Sequence, residues 1–164
     1  MSRIADIKWN DTGNGPGVNV SVFLQGCHFH CEGCFNRSTW DFGGGREATE
    51  ETVEEIIEGI GKGGIARNLS ILGGEPLAPE NRAFTRELAE AARKAYPGIE
   101  IWLWTGYEWA ELEKERDEGD AELDRILGAI DAAIVGRFRL RERDITLRYM
   151  GSRNQRLLRK GVDF

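Results

Sequence analysis

Cys27, Cys31 and Cys34 stand in the octet CHFHCEGC and are the only three cysteines in the 164-residue chain. An odd number of crowded thiols argues against structural disulfides and for metal or redox chemistry. Two donor sets suit the spacing. A structural zinc site takes four closed ligands, and His28 or His30 could supply the fourth. A 4Fe-4S cluster usually takes four cysteines, so three leave one iron without a protein ligand. Such an iron is an open coordination position, which is what a catalytic centre keeps free. Spacing alone accommodates either metal. The two histidines carry little weight, because a loop imidazole commonly serves as polar surface.

Two further segments carry candidate chemistry. In LGGEPL (Leu72 to Leu77) Gly73 and Gly74 permit close backbone approach, Glu75 offers a carboxylate to a cationic or amino group, and Pro76 stiffens the turn. By itself this reads as a plain strand-to-helix turn. In WLWTGYEW, Thr105 and Gly106 end a strand where a ligand could be touched, while Trp102, Trp104, Tyr107 and Trp109 read as core and rim packing.

The elements that must position these residues follow from periodicity. VNVSVFLQ (18–25) is β-branched and alternating, hence a strand, and it runs into the cysteine loop. TEETVEEIIEGI (49–60) places Val53, Ile56, Ile57 and Ile60 at helical spacing with acids in the first turn. NLSIL (68–72) is a short buried strand, Pro79 to about Ala95 a helix stopped by Pro97-Gly98, and IEIWLW (99–104) a third strand. EWAELEKERDEG and AELDRILGAI are helical, DAAIVGRF (131–138) is strand and turn, and DITLRYM (144–150) reads as a last strand. Alternating strands and helices imply a mostly parallel α/β sheet. Function in such sheets gathers at the carboxyl ends of the strands, where all three suspicious segments lie. The chain is shorter than the roughly 250 residues of an eight-unit barrel, so a partial, open (β/α) barrel fits it.

A single domain spanning 1–164 suits the length. No apolar run is long enough to cross a membrane and no export segment opens the chain, so a cytoplasmic location is expected. The net charge of −6 disfavours a general nucleic-acid binder. It is unevenly spread. Residues 137–164 hold nine Arg/Lys against three Asp/Glu, a net +6, so the remainder carries −12. That basic segment is either a solvated face or a docking surface for an acidic partner or phosphate.

A Cx3Cx2C loop after one strand and GGEP after a later one resembles the radical S-adenosylmethionine superfamily. NGPG (14–17), GCHFHCEGCFNRSTW (26–40), LGGEPL, IWLWTGY (101–107), GRF (136–138) and GSRNQR (151–156) together resemble the activating proteins of anaerobic (class III) ribonucleoside-triphosphate reductases. The resemblance implies an open barrel of the radical S-adenosylmethionine type. It implies that Cys27, Cys31 and Cys34 each hold one iron of a 4Fe-4S cluster, whose fourth iron chelates the amino and carboxylate groups of S-adenosylmethionine. Glu75 with Gly73, Gly74 and Pro76 would hold the methionine amino end, Gly33 and Phe35 would lie near the adenine, and Thr105 near the methionine or ribose. One electron would split the sulfonium into methionine and a 5′-deoxyadenosyl radical. That radical would take a hydrogen atom from a backbone glycine of the reductase, a protein substrate. A flavodoxin-type donor is the implied reductant. Arg153, Asn154, Gln155 and Arg156 are candidates for meeting the partner or shaping the pocket. The family often shows an acidic residue in VDG, where this chain has Val135.

Three other readings stand beside this one: activation of another glycyl-radical enzyme such as pyruvate formate-lyase, a zinc-stabilised binding module, and an open-iron hydratase. NGPG and GSRNQR favour the reductase over the first. GGEP after a strand argues against the other two. No Ser-His-Asp or paired-carboxylate set is evident, which suits chemistry carried by a cofactor.

Overall fold

The computed structural model describes all 164 residues, Met1–Phe164. Strand β1 (Arg3–Asp11) pairs antiparallel with β2 (Asn19–Leu24), and the two-residue β3 (Arg46–Glu47) pairs antiparallel with the start of β1. Three crossovers follow. Helix α1 (Glu50–Ile60) leads to β4 (Asn68–Gly73), α2 (Pro79–Ala95) to β5 (Ile101–Trp104), and α3 (Trp109–Asp117) with α4 (Ala121–Ala129) to β6 (Ala132–Val135). β7 (Arg156–Arg159) returns antiparallel to β6. The seven strands form one sheet in the order β3-β1-β2-β4-β5-β6-β7, parallel from β2 to β6 and antiparallel at both flanks.

Local chemistry sets the helix ends. Thr49 caps α1: its hydroxyl accepts from the Thr52 amide, and the Thr49 amide donates to Thr52 Oγ1. Pro79 opens α2, where a missing N–H costs nothing, and the chain leaves the helix ahead of Pro97. All six residues of β2 are buried, as expected for a central strand. Side-chain alternation then divides the sheet. Val20, Val22, Leu24, Leu69, Ile71, Ile101, Leu103, Ala133 and Val135 join apolar residues of all four helices in one core of 27 buried residues. The other face is mixed. Asn19, Ser21 and Ser70 are buried there beside Trp102, and Ser70 Oγ donates to Asn14 O (2.7 Å), holding the loop after β1 across it.

Several sequence expectations need correction. The stretch Asp144–Met150 forms no strand; it is the tip of a hairpin-like lobe. Asp144 Oδ1 accepts from the Thr146 amide (2.9 Å) and hydroxyl (2.5 Å), and Tyr149 sits at φ +67°, so turn chemistry overrides the β-branched composition. β7, twelve residues past Asp144, takes the expected place in the sheet. β1 is an additional strand. Its inward residues alternate with Arg3, Asp6 and Lys8, which masks the apolar pattern. No helix is long and apolar enough to cross a membrane.

Candidate functional site

The four parallel strands end on one edge of the sheet, and each hands over to a suspicious segment. β2 runs into Gln25-Gly26-Cys27, β4 into Gly74-Glu75, β5 into Thr105-Gly106 and β6 into Gly136-Arg137. These exits line one cavity of about 250 Å³, with Cys27, Cys31, Cys34, Phe35, Gly73, Gly74, Glu75, Thr105 and Gln155 on its wall. Val135 is not on it. Its side chain is buried in the helix-side core, so the valine in place of a family acid leaves the cavity wall unchanged.

The glycines of the β4 exit have a structural cause. Gly74 donates to Leu24 O (2.8 Å) and Glu75 to Gly26 O (2.8 Å), which pins this turn against the root of the cysteine loop. A Cβ on Gly74 would stand 2.4 Å from Gly26 O, and one on Gly73, at φ +105°, would stand 2.6 Å from Leu24 N. Only glycine permits this approach.

Glu75 is 2% exposed. Its carboxylate accepts from Thr105 Oγ1 (2.7 Å), the Gly106 amide (2.7 Å) and the Leu77 amide (2.9 Å), tying the β4 exit to the β5 exit. Burial pushes its pKa from the ordinary 4.5 up to about 7, against the pull of those donors and of Arg82. Arg82 is itself 6% exposed and ion-paired to Glu115 (2.6 Å) and Asp120 (2.6 Å), with its Nε donating to Leu77 O (2.7 Å).

The cysteine loop is anchored at its base by Gly26 N to Thr39 O (2.6 Å) and Cys27 N to Trp40 O (3.1 Å). Positive φ at His30 and Gly33 makes its turns. All three thiols are free and partly buried. Burial pushes the Cys27 and Cys31 thiols up; backbone N–H groups of Phe29 and His30 at Cys27, and of Phe138 with the Arg137 charge at Cys31, pull the other way. The Asn36 amide donates to Cys34 Sγ (3.4 Å). N–H groups aimed at sulfur stabilise thiolates and tune clusters.

His28 and His30 are engaged elsewhere. His28 Nε2 lies 2.8 Å from Glu80 Oε1, and His30 stacks on Trp40 at 4.3 Å. No three His, Cys, Asp or Glu side chains stand where they could hold a single metal ion. Thiolates that each bind a different iron stand farther apart than the ligands of one ion. Three thiols on one wall, with no fourth cysteine in the chain and the Asn36 amide donating to one of them, fit the donor set of an iron–sulfur cluster that keeps one iron open.

Between Cys27 and Cys31, Phe29 clamps the loop to its neighbours. Its ring meets Tyr107 edge-on at 5.0 Å and lies under the Arg137 guanidinium at 4.4 Å. Gly106 passes beneath it: a Cβ there would stand 2.5 Å from the ring. Arg137 is held in turn by both oxygens of Glu111 (2.9 and 3.0 Å).

The expected site residues do not all reach the cavity. Gly33 backs onto Leu140 and Phe138, and Pro76 turns its carbonyl to Thr85 Oγ1 (2.9 Å); neither lines the wall. Asn154 Nδ2 donates to Arg137 O (2.7 Å). Gln155 accepts from the Gly151 and Ser152 amides and donates to Gly136 O (3.0 Å), so this pair shapes the β6 exit. Arg153 and Arg156 point to solvent. Asn14, Phe29, Trp40, Trp104, Phe138 and Tyr149 line the cavity without having been singled out as site residues. The NGPG and GRF segments were a usable signal for Asn14 and Phe138; nothing in the sequence marked Tyr149.

Residues 13–158 match the family model described as a 4Fe-4S single cluster domain. An anaerobic ribonucleoside-triphosphate reductase-activating protein of Vibrio cholerae is 36% identical over 146 residues, 88% of this chain and 90% of the relative. The protein of that name from Enterobacteria phage T4 is 36% identical, with 88% and 85% covered, and that of Escherichia coli K12 is 34% identical, with 88% and 90% covered. With its three thiols gathered at the carboxyl edge of a parallel sheet, the chain belongs to the 4Fe-4S single cluster domain family and, within it, to the anaerobic ribonucleoside-triphosphate reductase-activating proteins.

Proposed function

We propose that this protein is a radical S-adenosylmethionine enzyme that installs a glycyl radical on an anaerobic ribonucleoside-triphosphate reductase, working as one domain over residues 1–164. The observation that carries the reading is the convergence of three thiols, with no fourth in the chain, and the GGEP, TGY and GRF exits on one cavity. The single layer of helices on one face of an open sheet supports the partial-barrel reading of the fold. A cytoplasmic setting and a flavodoxin-type electron donor belong to the same proposal.

When bound, the cluster and S-adenosylmethionine supply one-electron cleavage of the sulfonium and hydrogen-atom abstraction. The chain supplies the rest. Cys27, Cys31 and Cys34 would hold three irons, and the Asn36 amide, which donates to Cys34 Sγ, would stabilise the charge on that thiolate. Glu75 acts mainly as a brace, because its oxygens are already occupied by Thr105, Gly106 and Leu77. The Gly73-Gly74 backbone forms part of the wall where the methionine end would lie. Phe35, 68% exposed, offers a flat apolar face for an adenine.

The test is anaerobic reconstitution, with iron, sulfide and zinc quantified and EPR recorded on the reduced protein with and without S-adenosylmethionine. About four irons, a signal altered by the cofactor, and a glycyl radical on added reductase support the reading. Zinc without sulfide, or a signal indifferent to the cofactor, refutes it.

A further inference from the structure

The chain between β6 and β7 leaves the sheet as a hairpin-like lobe. Its arms are joined by a bridge between Arg143 and Ser152, by Arg153 N to Glu142 O (2.9 Å) and by Asp144 N to Gly151 O (3.2 Å). The lobe has two sides. Phe138, Tyr149 and Gly151 face inward and line the cavity. Arg141, Arg143, Arg148 and Arg153 are exposed. Of the eight arginines from 137 to 159, Arg137, Arg139 and Arg159 are ion-paired, while these four and Arg156 on β7 are not. The lobe's own acids form no ion pair with them: Glu142 pairs with Arg139, and Asp144 bonds Thr146 and has only Arg153 of the four within reach of its charge. At the tip Ile145 is 84% exposed, and Leu140 is 42% exposed at the base.

An uncompensated basic surface around exposed apolar side chains is unusual on a chain of net charge −6. Its position is equally specific. Phe138, Tyr149 and Gly151 on its inner side line the cavity, so a partner seated on the lobe lies next to the cavity wall. The geometry points to the lobe 139–153 as the docking surface for the reductase, through an acidic segment of that partner with an apolar residue that seats against Ile145. This rests on the activase reading for the partner's identity. The surface selects the partner by charge complementarity, which sets encounter rate and orientation more than final affinity.

The test measures affinity between the cluster-loaded protein and purified reductase over a range of salt, for wild type, Arg141→Glu/Arg153→Glu, and Ile145→Ser. None of these residues lines the cavity, so reductive cleavage of S-adenosylmethionine without reductase reports an intact site. The expected result is wild-type affinity that falls with salt, a loss of about tenfold or more in the double reversal, a smaller loss in Ile145→Ser, and unchanged cleavage. Unchanged affinity in both variants overturns the proposal. So does binding of a single-stranded oligonucleotide, titrated in parallel, that the double reversal abolishes while reductase binding stays intact, which would make the lobe a phosphate-binding surface. If wild type binds through the lobe but forms no glycyl radical, docking stands and the activase reading falls.

Discussion

Replacing Glu75 by Gln separates the two effects that act on this buried carboxylate. The amide oxygen can take over Oε1 and keep the bonds from Thr105 and Leu77, but the amide nitrogen then faces the Gly106 N–H, donor against donor. An unsatisfied buried donor costs about 1–3 kcal/mol. The opposing effect is charge. A pKa raised from 4.5 to about 7 means that the folded state keeps its proton while the unfolded chain has lost it. Stability from this group is therefore fully present below pH 4.5 and is lost as pH rises through 7, by about 3 kcal/mol at most. Gln has no such loss. At pH 5 the variant is expected to be less stable than wild type by about 1–3 kcal/mol, and by pH 8 the gap should close or reverse. Urea unfolding of the metal-free protein at both pH values measures this, and taking the difference between the two proteins cancels most other titrating groups. A variant that loses more stability at pH 8 than at pH 5 would refute the reasoning. It would mean that the three donors and Arg82 hold the carboxylate ionised.

The clamp on the cysteine loop makes two further predictions. Gly106→Ala places a methyl 2.5 Å from the Phe29 ring, so the protein should lose about 1–3 kcal/mol by overpacking and take up less iron on reconstitution; normal iron uptake would show that the loop does not depend on Phe29. Arg137→Gln removes the cation over Phe29 and the pair with Glu111, and should lower iron content more than it lowers the melting temperature. Arg82→Met leaves Glu115 and Asp120 without their cation; because those carboxylates keep 33% and 30% exposure, the cost should be about 2–3 kcal/mol, below that of a fully buried pair, as read by chemical denaturation.

What the sequence disclosed and what it hid differ in range along the chain. The cysteine loop is local: eight consecutive residues carry its chemistry, and a missing fourth thiol is visible at once. The central strands and the helices were legible for the same reason, since β2 and β4 are short apolar runs and α1 repeats its apolar residues within two turns. β1 and β7 were not, because strands with one charged side depend on their sheet partners to become strands at all. The clamp was hidden more deeply, since Phe29, Tyr107, Arg137 and Glu111 come from three strand exits and one helix, and no spacing joins them. The glycines of GGEP show a subtler limit. Their type is legible as a demand for close approach, but not the identity of what approaches. Taken alone the segment reads as a plain strand-to-helix turn, and the family resemblance assigned its glycines to a bound cofactor. Before any ligand is present, Gly74 already has Gly26 O against it at a distance no side chain tolerates, and Gly73 has the β2 backbone. The motif is thus first the joint between the β4 exit and the root of the cysteine loop. A substitution there should disturb the placement of the thiols and the cofactor wall together, so loss of cofactor binding in such a variant would not by itself identify a ligand contact.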